Sequence, residues 1–77
     1  MADKITMYGA DWCSDCRRSK AVLDAEGVDY DYIDVEQSAE AADAAKAISG
    51  RINIPVIVFT DGSFQVEPSD ADLRSKL

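Results

Sequence analysis

Pro55-Val56-Ile57-Val58-Phe59 is an unbroken apolar run, and it constrains the fold more than any other stretch of the chain. A strand of this composition has no polar face to turn to water, so it must be covered on both sides. Asp61-Gly62 comes one residue later. That pair is among the strongest short signals for a tight antiparallel hairpin, with Phe64 and Val66 alternating in the returning strand. The chain has 77 residues, so the cover comes from a few short helices within one domain spanning residues 1–77. Such a domain buries only roughly 60–65% of the surface its unfolded chain exposes, and its core must be economical.

The preceding residues supply the other layers. Lys4-Ile5-Thr6-Met7-Tyr8 alternates as a strand, and Gly9-Ala10-Asp11 breaks it. The pattern predicts a helix from about Ser14 to Glu26, closed by Gly27 in a left-handed conformation with Val28 over Leu23. Tyr30 to Val35, rich in aromatic and β-branched residues, reads as a second strand. Ser38 is a good N-cap for a second helix ending at Gly50, with Ala41, Ala44, Ala45 and Ile48 on its apolar face. Ser69, with Asp72 three residues on, opens a last short helix from which Leu73 and Leu77 face the sheet. In that helix Asp70 and Asp72 lie near the positive end and Arg74 and Lys76 near the negative end. The order is βαβαββα. A crossover helix makes the first two strands parallel and the hairpin makes the last two antiparallel, which gives an α/β fold with a mixed four-stranded sheet and helices on both faces.

Charge narrows the partners. The chain carries 8 Lys+Arg and 15 Asp+Glu, a formal net charge of −7. This argues against nucleic acid and against an anionic membrane surface, both of which are bound mainly through Lys and Arg. No stretch approaches the roughly 18 apolar residues of a transmembrane helix, and Met1-Ala2-Asp3-Lys4 leads into mixed sequence without a leader's apolar region. The expected location is cytoplasmic.

The only cysteines are Cys13 and Cys16, in Trp12-Cys13-Ser14-Asp15-Cys16, and there is no histidine. A secreted disulfide framework needs more cysteines, spread along the chain. A bridge over so short a loop restrains the unfolded chain little. Four-ligand zinc lacks two of its usual Cys or His ligands, leaving only carboxylates or a site shared between two chains. Redox chemistry fits best. At a strand–loop–helix junction Cys13 takes the N-cap position, where unpaired N–H groups and the helix dipole favour a thiolate, and Cys16 sits one turn behind it. Cys13 is then the nucleophile and Cys16 the less exposed resolving thiol. Open α/β sheets place their sites at this end of a strand.

The neighbours modify that picture. Asp11 and Asp15 oppose a thiolate by like-charge repulsion, to an extent that depends on screening. Arg17, Arg18 and Lys20 offset them, either as a solvated helix face or as a local positive patch for the thiolate or an anionic thiol, with Arg17 nearest Cys16. Trp12, weighed against a place in the core of so small a chain, is read as an exposed flat surface for substrate. Pro55 fits the first position of a strand, where no N–H is needed.

With these elements in place the chain resembles the glutaredoxin family of the thioredoxin-like fold, and within it the mycoredoxins and short glutaredoxin-like proteins of actinobacteria. The likeness runs from Lys4 to Leu77. It rests on Tyr8 to Arg17, on Gly50-Arg51-Ile52-Asn53-Ile54-Pro55, and on Asp61-Gly62-Ser63 followed by Glu67-Pro68-Ser69-Asp70. The resemblance implies a thiol–disulfide oxidoreductase with a cis Ile54-Pro55 bond facing Cys13, and an Ile54 backbone that pairs with a bound thiol peptide as an added strand. It also implies that Arg51, Ser69 and Asp70 hold the charged ends of a low-molecular-weight thiol. The chain departs from the family pattern at Ser14, where Pro or Gly is usual, and at Asp15, where an aromatic is common. Glu67-Pro68 stands where many glutaredoxins carry Gly-Gly. Mycothiol or glutathione is the implied cosubstrate, the departures weighing toward mycothiol, and no bound cofactor is expected. The expected partners are disulfide-containing or thiolated proteins and a small thiol or flavin-dependent reductase, with the chain a monomer. Two alternatives come with the likeness: an iron–sulfur carrier bridged through Cys13 and external thiols, and a hydrogen donor served by thioredoxin reductase. The Trp-Ser-Gly-Phe-Arg-Pro stretch of such donors is missing, which counts against the second.

Overall fold

The computed structural model describes residues 4–77. Met1, Ala2 and Asp3, read above as part of a start without a leader, lie outside the described residues. Strand β1 (Ile5–Gly9), helix α1 (Ser14–Ala25), strand β2 (Tyr30–Asp34), helix α2 (Ala39–Ser49), strands β3 (Val56–Val58) and β4 (Phe64–Val66) and helix α3 (Asp70–Arg74) follow in the expected order. The sheet runs β2-β1-β3-β4. β1 pairs with β2 in parallel, Ile5 opposite Tyr30 and Gly9 opposite Asp34. It pairs with β3 antiparallel, Met7 opposite Ile57, and β3 pairs with β4 antiparallel. The mixed four-stranded α/β sheet inferred from the hydrophobic pattern is the observed one.

Both sheet faces are covered, as the apolar run requires. Ile5 and Met7 of β1 and Ile57 of β3 form one buried cluster with Val22 and Leu23 of α1, Phe59 and Leu73 of α3. Side chains alternate along a strand, so Val56 turns to the opposite face from Ile57. Val56 and Ala45 of α2 are buried outside that cluster. Ile48 is exposed instead of extending the α2 face, and Leu77 is exposed beyond the end of α3. Alanines alone seat α2 closely, which leaves the longer Ile48 at the rim, and α3 ends too early to carry Leu77 inward.

The helix ends follow their local chemistry. The Val28 N–H donates to the Leu23 carbonyl at 3.2 Å and that of Gly27 to Asp24 at 3.1 Å, the Schellman pattern, with Gly27 at φ 69°. α1 stops at Ala25, one residue short of the expected Glu26, which is its C-cap. The Ser38 hydroxyl accepts the Ala41 N–H at 3.2 Å, and Gly50 closes α2 at φ 75°. Other boundaries shift. β2 ends at Asp34, one residue short of the expected Val35. β1 includes Gly9 and excludes Lys4. β3 omits both Pro55, which has no N–H for the ladder, and Phe59. The hairpin corner falls on Thr60-Asp61, because the Gly62 N–H closes the turn onto the Phe59 carbonyl at 3.0 Å. Gly62 follows at φ 90° as the left-handed residue of a three-residue loop. Among the described residues no helix is long and apolar enough to cross a membrane.

Candidate active site

β1 delivers the chain to the carboxyl edge of the sheet, and α1 begins five residues beyond its last strand position, at Ser14 after the N-cap Cys13. The cap is a sulfur. Cys13 Sγ accepts the backbone N–H of Cys16 at 3.2 Å, the donor a Ser or Asp oxygen would take at this position. The helix amino end therefore holds partial positive charge against this atom. Ile54, from the segment entering β3, brings its carbonyl within 3.9 Å of the same sulfur. The Ile54-Pro55 bond is cis, as the resemblance implied, and Pro55 is buried beneath.

Cys13 is more enclosed than a helix cap at a strand end need be, with 9% of its surface exposed. It borders a groove of about 430 Å³ shared with Trp12, Asp15, Ile52, Ile54 and Glu67. Two apolar side chains stand out at the rim: Trp12 is 66% exposed and Ile52 82%. The indole N–H of Trp12 donates to Glu36 at 2.7 Å, which fixes the ring as an outward platform.

Cys16 lies behind, 1% exposed and a member of the core cluster. Burial pushes its thiol up to about 12, with a hydrogen bond to the Cys13 side chain and the charges of Cys13 and Asp15 acting in the same sense. A backbone hydrogen bond at Ala10 works the other way. Both cysteines are free thiols. Room for Cys16 comes from Gly9. A Cβ there would lie 3.0 Å from Cys16 Sγ and 3.3 Å from the Tyr32 ring. Tyr32 completes this wall. Its hydroxyl donates to Asp11 at 3.3 Å and Lys20 Nζ sits 4.5 Å from its ring centroid. Burial, then the neighbouring Asp11 charge, push the phenol up to about 12.

The cations of this region turn elsewhere. Arg17 donates to the Asp11 carbonyl at 2.8 Å. Arg18 spans Asp15 at 3.3 Å and Asp70 at 3.2 Å, tying α1 to α3 and balancing the carboxylate that lies between the cysteines. These pairs are half exposed and each is worth about 0–1 kcal/mol. Arg51 lines an adjoining groove with Lys46 and Val35. The Ser69 hydroxyl caps α3 by accepting the Asp72 N–H at 3.1 Å. Of the residues singled out in the sequence, Trp12, Cys13 and Ile54 meet at one groove, with Cys16 and Pro55 beneath; Arg17, Arg51, Ser69 and Asp70 do not line it. Sequence reasoning treated Gly9 as a strand breaker and gave no role to Ile52, Asn53 or Glu67. For Gly9 the available signal was a side-chain-free residue just ahead of a buried cysteine pair. For the others there was none.

Known proteins share this fold. Residues 5–65 match the model of the glutaredoxin family. Mycoredoxin 1 of Corynebacterium glutamicum is 35% identical over 74 residues, covering 95% of this chain and 91% of that one. Among solved structures, a glutaredoxin from Archaeoglobus fulgidus superposes with a TM-score of 0.84 at 27% identity, covering 95% of this chain and 84% of that one. The glutaredoxin-like NrdH-redoxin of Escherichia coli gives a TM-score of 0.79 at 27% identity, with 92% and 91% covered.

Proposed function

The chain belongs to the glutaredoxin family of thiol–disulfide oxidoreductases, and from that premise we propose that it reduces protein disulfides or protein–thiol mixed disulfides through Cys13 as nucleophile and Cys16 as resolving thiol. The observation that carries this reading is the 3.2 Å hydrogen bond from the Cys16 N–H to Cys13 Sγ at the mouth of the groove. It turns the amino end of α1 toward the sulfur that substrate can reach.

In the first step Cys13 Sγ attacks one sulfur of the substrate disulfide. The Cys13–substrate S–S bond forms, the substrate S–S bond breaks, and the departing thiolate takes a proton from water. In the second step Cys16 loses its proton and attacks Cys13 Sγ. The Cys13–Cys16 bond forms and the second substrate thiolate leaves. The enzyme pair is oxidised by two electrons and the substrate reduced by two. Order is built into the pair. Burial and, while Cys13 is an anion, its hydrogen bond and charge keep Cys16 protonated. Once Cys13 is in a mixed disulfide that charge is gone, and Cys16 ionises more readily. An extended substrate segment is accommodated along the Ile54 backbone as an added strand, with Trp12 as an apolar platform. A low-molecular-weight thiol of the mycothiol or glutathione kind, or a flavin-dependent reductase, returns the electrons.

Cys13→Ser removes turnover of a mixed-disulfide substrate, and Cys16→Ser accumulates a covalent adduct at Cys13 visible by intact mass. Turnover retained without Cys13 would overturn the assignment.

A further inference from the structure

We propose that Glu67 is a specificity-determining residue, whose carboxylate makes the groove beside Cys13 select protein disulfides in which the attacked cysteine is flanked by lysine or arginine. The proposal rests on the reading of Cys13 as the attacking thiolate and names the substrate class for that same site.

The groove is one-signed. Its charged borders are Asp15 and Glu67, and among the described residues no Lys or Arg lines it. Nearby cations are held elsewhere: Arg17 by the Asp11 carbonyl, Arg18 by Asp15 and Asp70, Arg51 on the adjoining groove. Asp15 is therefore balanced by Arg18. Glu67 has no such cation among the described residues: its carboxylate accepts the neutral Asn53 amide at 3.3 Å.

The placement of Glu67 is also specified by the chain. It is the one non-glycine residue at positive φ among the described residues, at 48°. Side chains are uncommon in this region of backbone space, and a residue persists there when its surroundings hold it. Here the Glu67 N–H donates to the Pro55 carbonyl at 2.9 Å, so the link between β4 and α3 is pinned to the residue following Ile54. The Glu67 backbone is thus fixed beside the segment along which a substrate lies, and its carboxylate projects from there onto the Asn53 amide.

A peptide laid on Ile54 puts the residues on either side of its cysteine between the apolar lips, Trp12 and Ile52, and Glu67. Lysine or arginine suits both, since its methylene stem covers apolar surface while its charged head reaches a carboxylate. A glutamate or a terminal carboxylate at the same place meets repulsion without a cation to offset it. The chemistry is unchanged: Cys13 Sγ bonds to the peptide sulfur and the leaving thiol departs with the electron pair.

The experiment uses three peptides, Lys-Cys-Lys, Gln-Cys-Gln and Glu-Cys-Glu, each activated as a 2-pyridyl disulfide, with thiopyridone release followed in single-turnover mixing. Rates are divided by those of β-mercaptoethanol with the same peptides, which removes intrinsic reactivity. At low ionic strength the normalised Lys/Glu ratio is expected near about tenfold, falling to about twofold in about 0.5 M salt. Glu67→Gln lowers the low-salt ratio by about threefold. Glu40→Gln, the same charge change on the exposed first turn of α2, leaves it in place. A ratio near one in the unmodified protein overturns the proposal whether or not the variants fold, as does an equal effect of both substitutions. Failure of Cys13 to react with any of the peptides overturns instead the assignment of the nucleophile.

Discussion

Replacing Gly9 by alanine tests how closely the resolving sulfur is packed on the first strand. The new methyl would lie 3.0 Å from Cys16 Sγ, 3.3 Å from Cys16 Cβ and 3.3 Å from Tyr32 Cε1. Favourable carbon contacts sit near about 3.5–4.0 Å, so all three are compressed. The sulfur cannot retreat far, because it is 1% exposed among core side chains. Overpacking of this kind costs about 1–3 kcal/mol. Alanine also stiffens the unfolded chain, which returns about 0.4–1 kcal/mol. The net loss is centred on about 1 kcal/mol, within a span of about 0–2.6 kcal/mol. With a urea m-value of about 1 kcal/mol/M for a chain this small, the unfolding midpoint followed by circular dichroism drops by about 1 M. The kinetic effect is selective. A reacting sulfur displaced by a fraction of an ångström slows the resolving step by about tenfold or more. The attack by Cys13 changes less, because its cap bond is made on the helix side. Single-turnover mixing that resolves release of the first and second thiols separates the two steps. Unchanged stability together with an unchanged second step would refute the claim that the absent side chain at Gly9 positions Cys16.

Two further outcomes follow from the buried thiol and the helix caps. Cys16 and Tyr32 are both pushed up to about 12, from ordinary values of 9.0 and 10.0. Their neutral forms are favoured by folding, so that contribution is complete below the unfolded values and is lost as pH rises toward the folded ones. The urea midpoint is therefore expected to hold from about pH 7 to 8.5 and to fall above about pH 9, with a shallower fall in Cys16→Ala; an equally steep fall in that variant would sink the attribution to Cys16. Ser38→Ala removes the acceptor of the Ala41 N–H, and thermal unfolding should report a loss of about 0.5–2 kcal/mol, whereas an unchanged midpoint would show that the cap bond at 3.2 Å contributes nothing.

Much of this molecule is legible in its local chemistry. Ser38 and Gly50 bound α2, Gly27 with Val28 closes α1, and the apolar run at β3 demands two covered faces; each depends on residues near one another in sequence. Cys13 and Cys16 are legible for the same reason, since one helical turn brings them together. Most of what escapes is decided jointly by two distant segments. The corner at Thr60-Asp61 escapes for a local reason: Asp61 accepts both the Ser63 N–H at 2.9 Å and its hydroxyl at 2.6 Å, a choice that the Asp61-Gly62 pair alone does not dictate. The role of Gly9 exists only because α1 folds back over it. The left-handed Glu67 is set by the Pro55 carbonyl and has no sequence signature. Arg17, next to Cys16 along the chain, is drawn by the Asp11 carbonyl instead.

Cys13 and Cys16 belong to the same buried cluster as Met7, Leu23 and Leu73. A bond between their sulfurs would form inside that cluster, so any change in its packing makes the dithiol and disulfide proteins differ in folding free energy. A closed thermodynamic cycle requires that difference to reappear as a displacement of the midpoint potential from that of the same pair in an unfolded peptide. At about 30 mV for each 1.4 kcal/mol, a methyl group removed from Leu23 retunes the electron affinity of the protein whenever the two oxidation states tolerate the cavity unequally. Core side chains such as Leu23, packed behind the reacting sulfurs, thereby help to set which donors can reduce this enzyme and which acceptors it can serve.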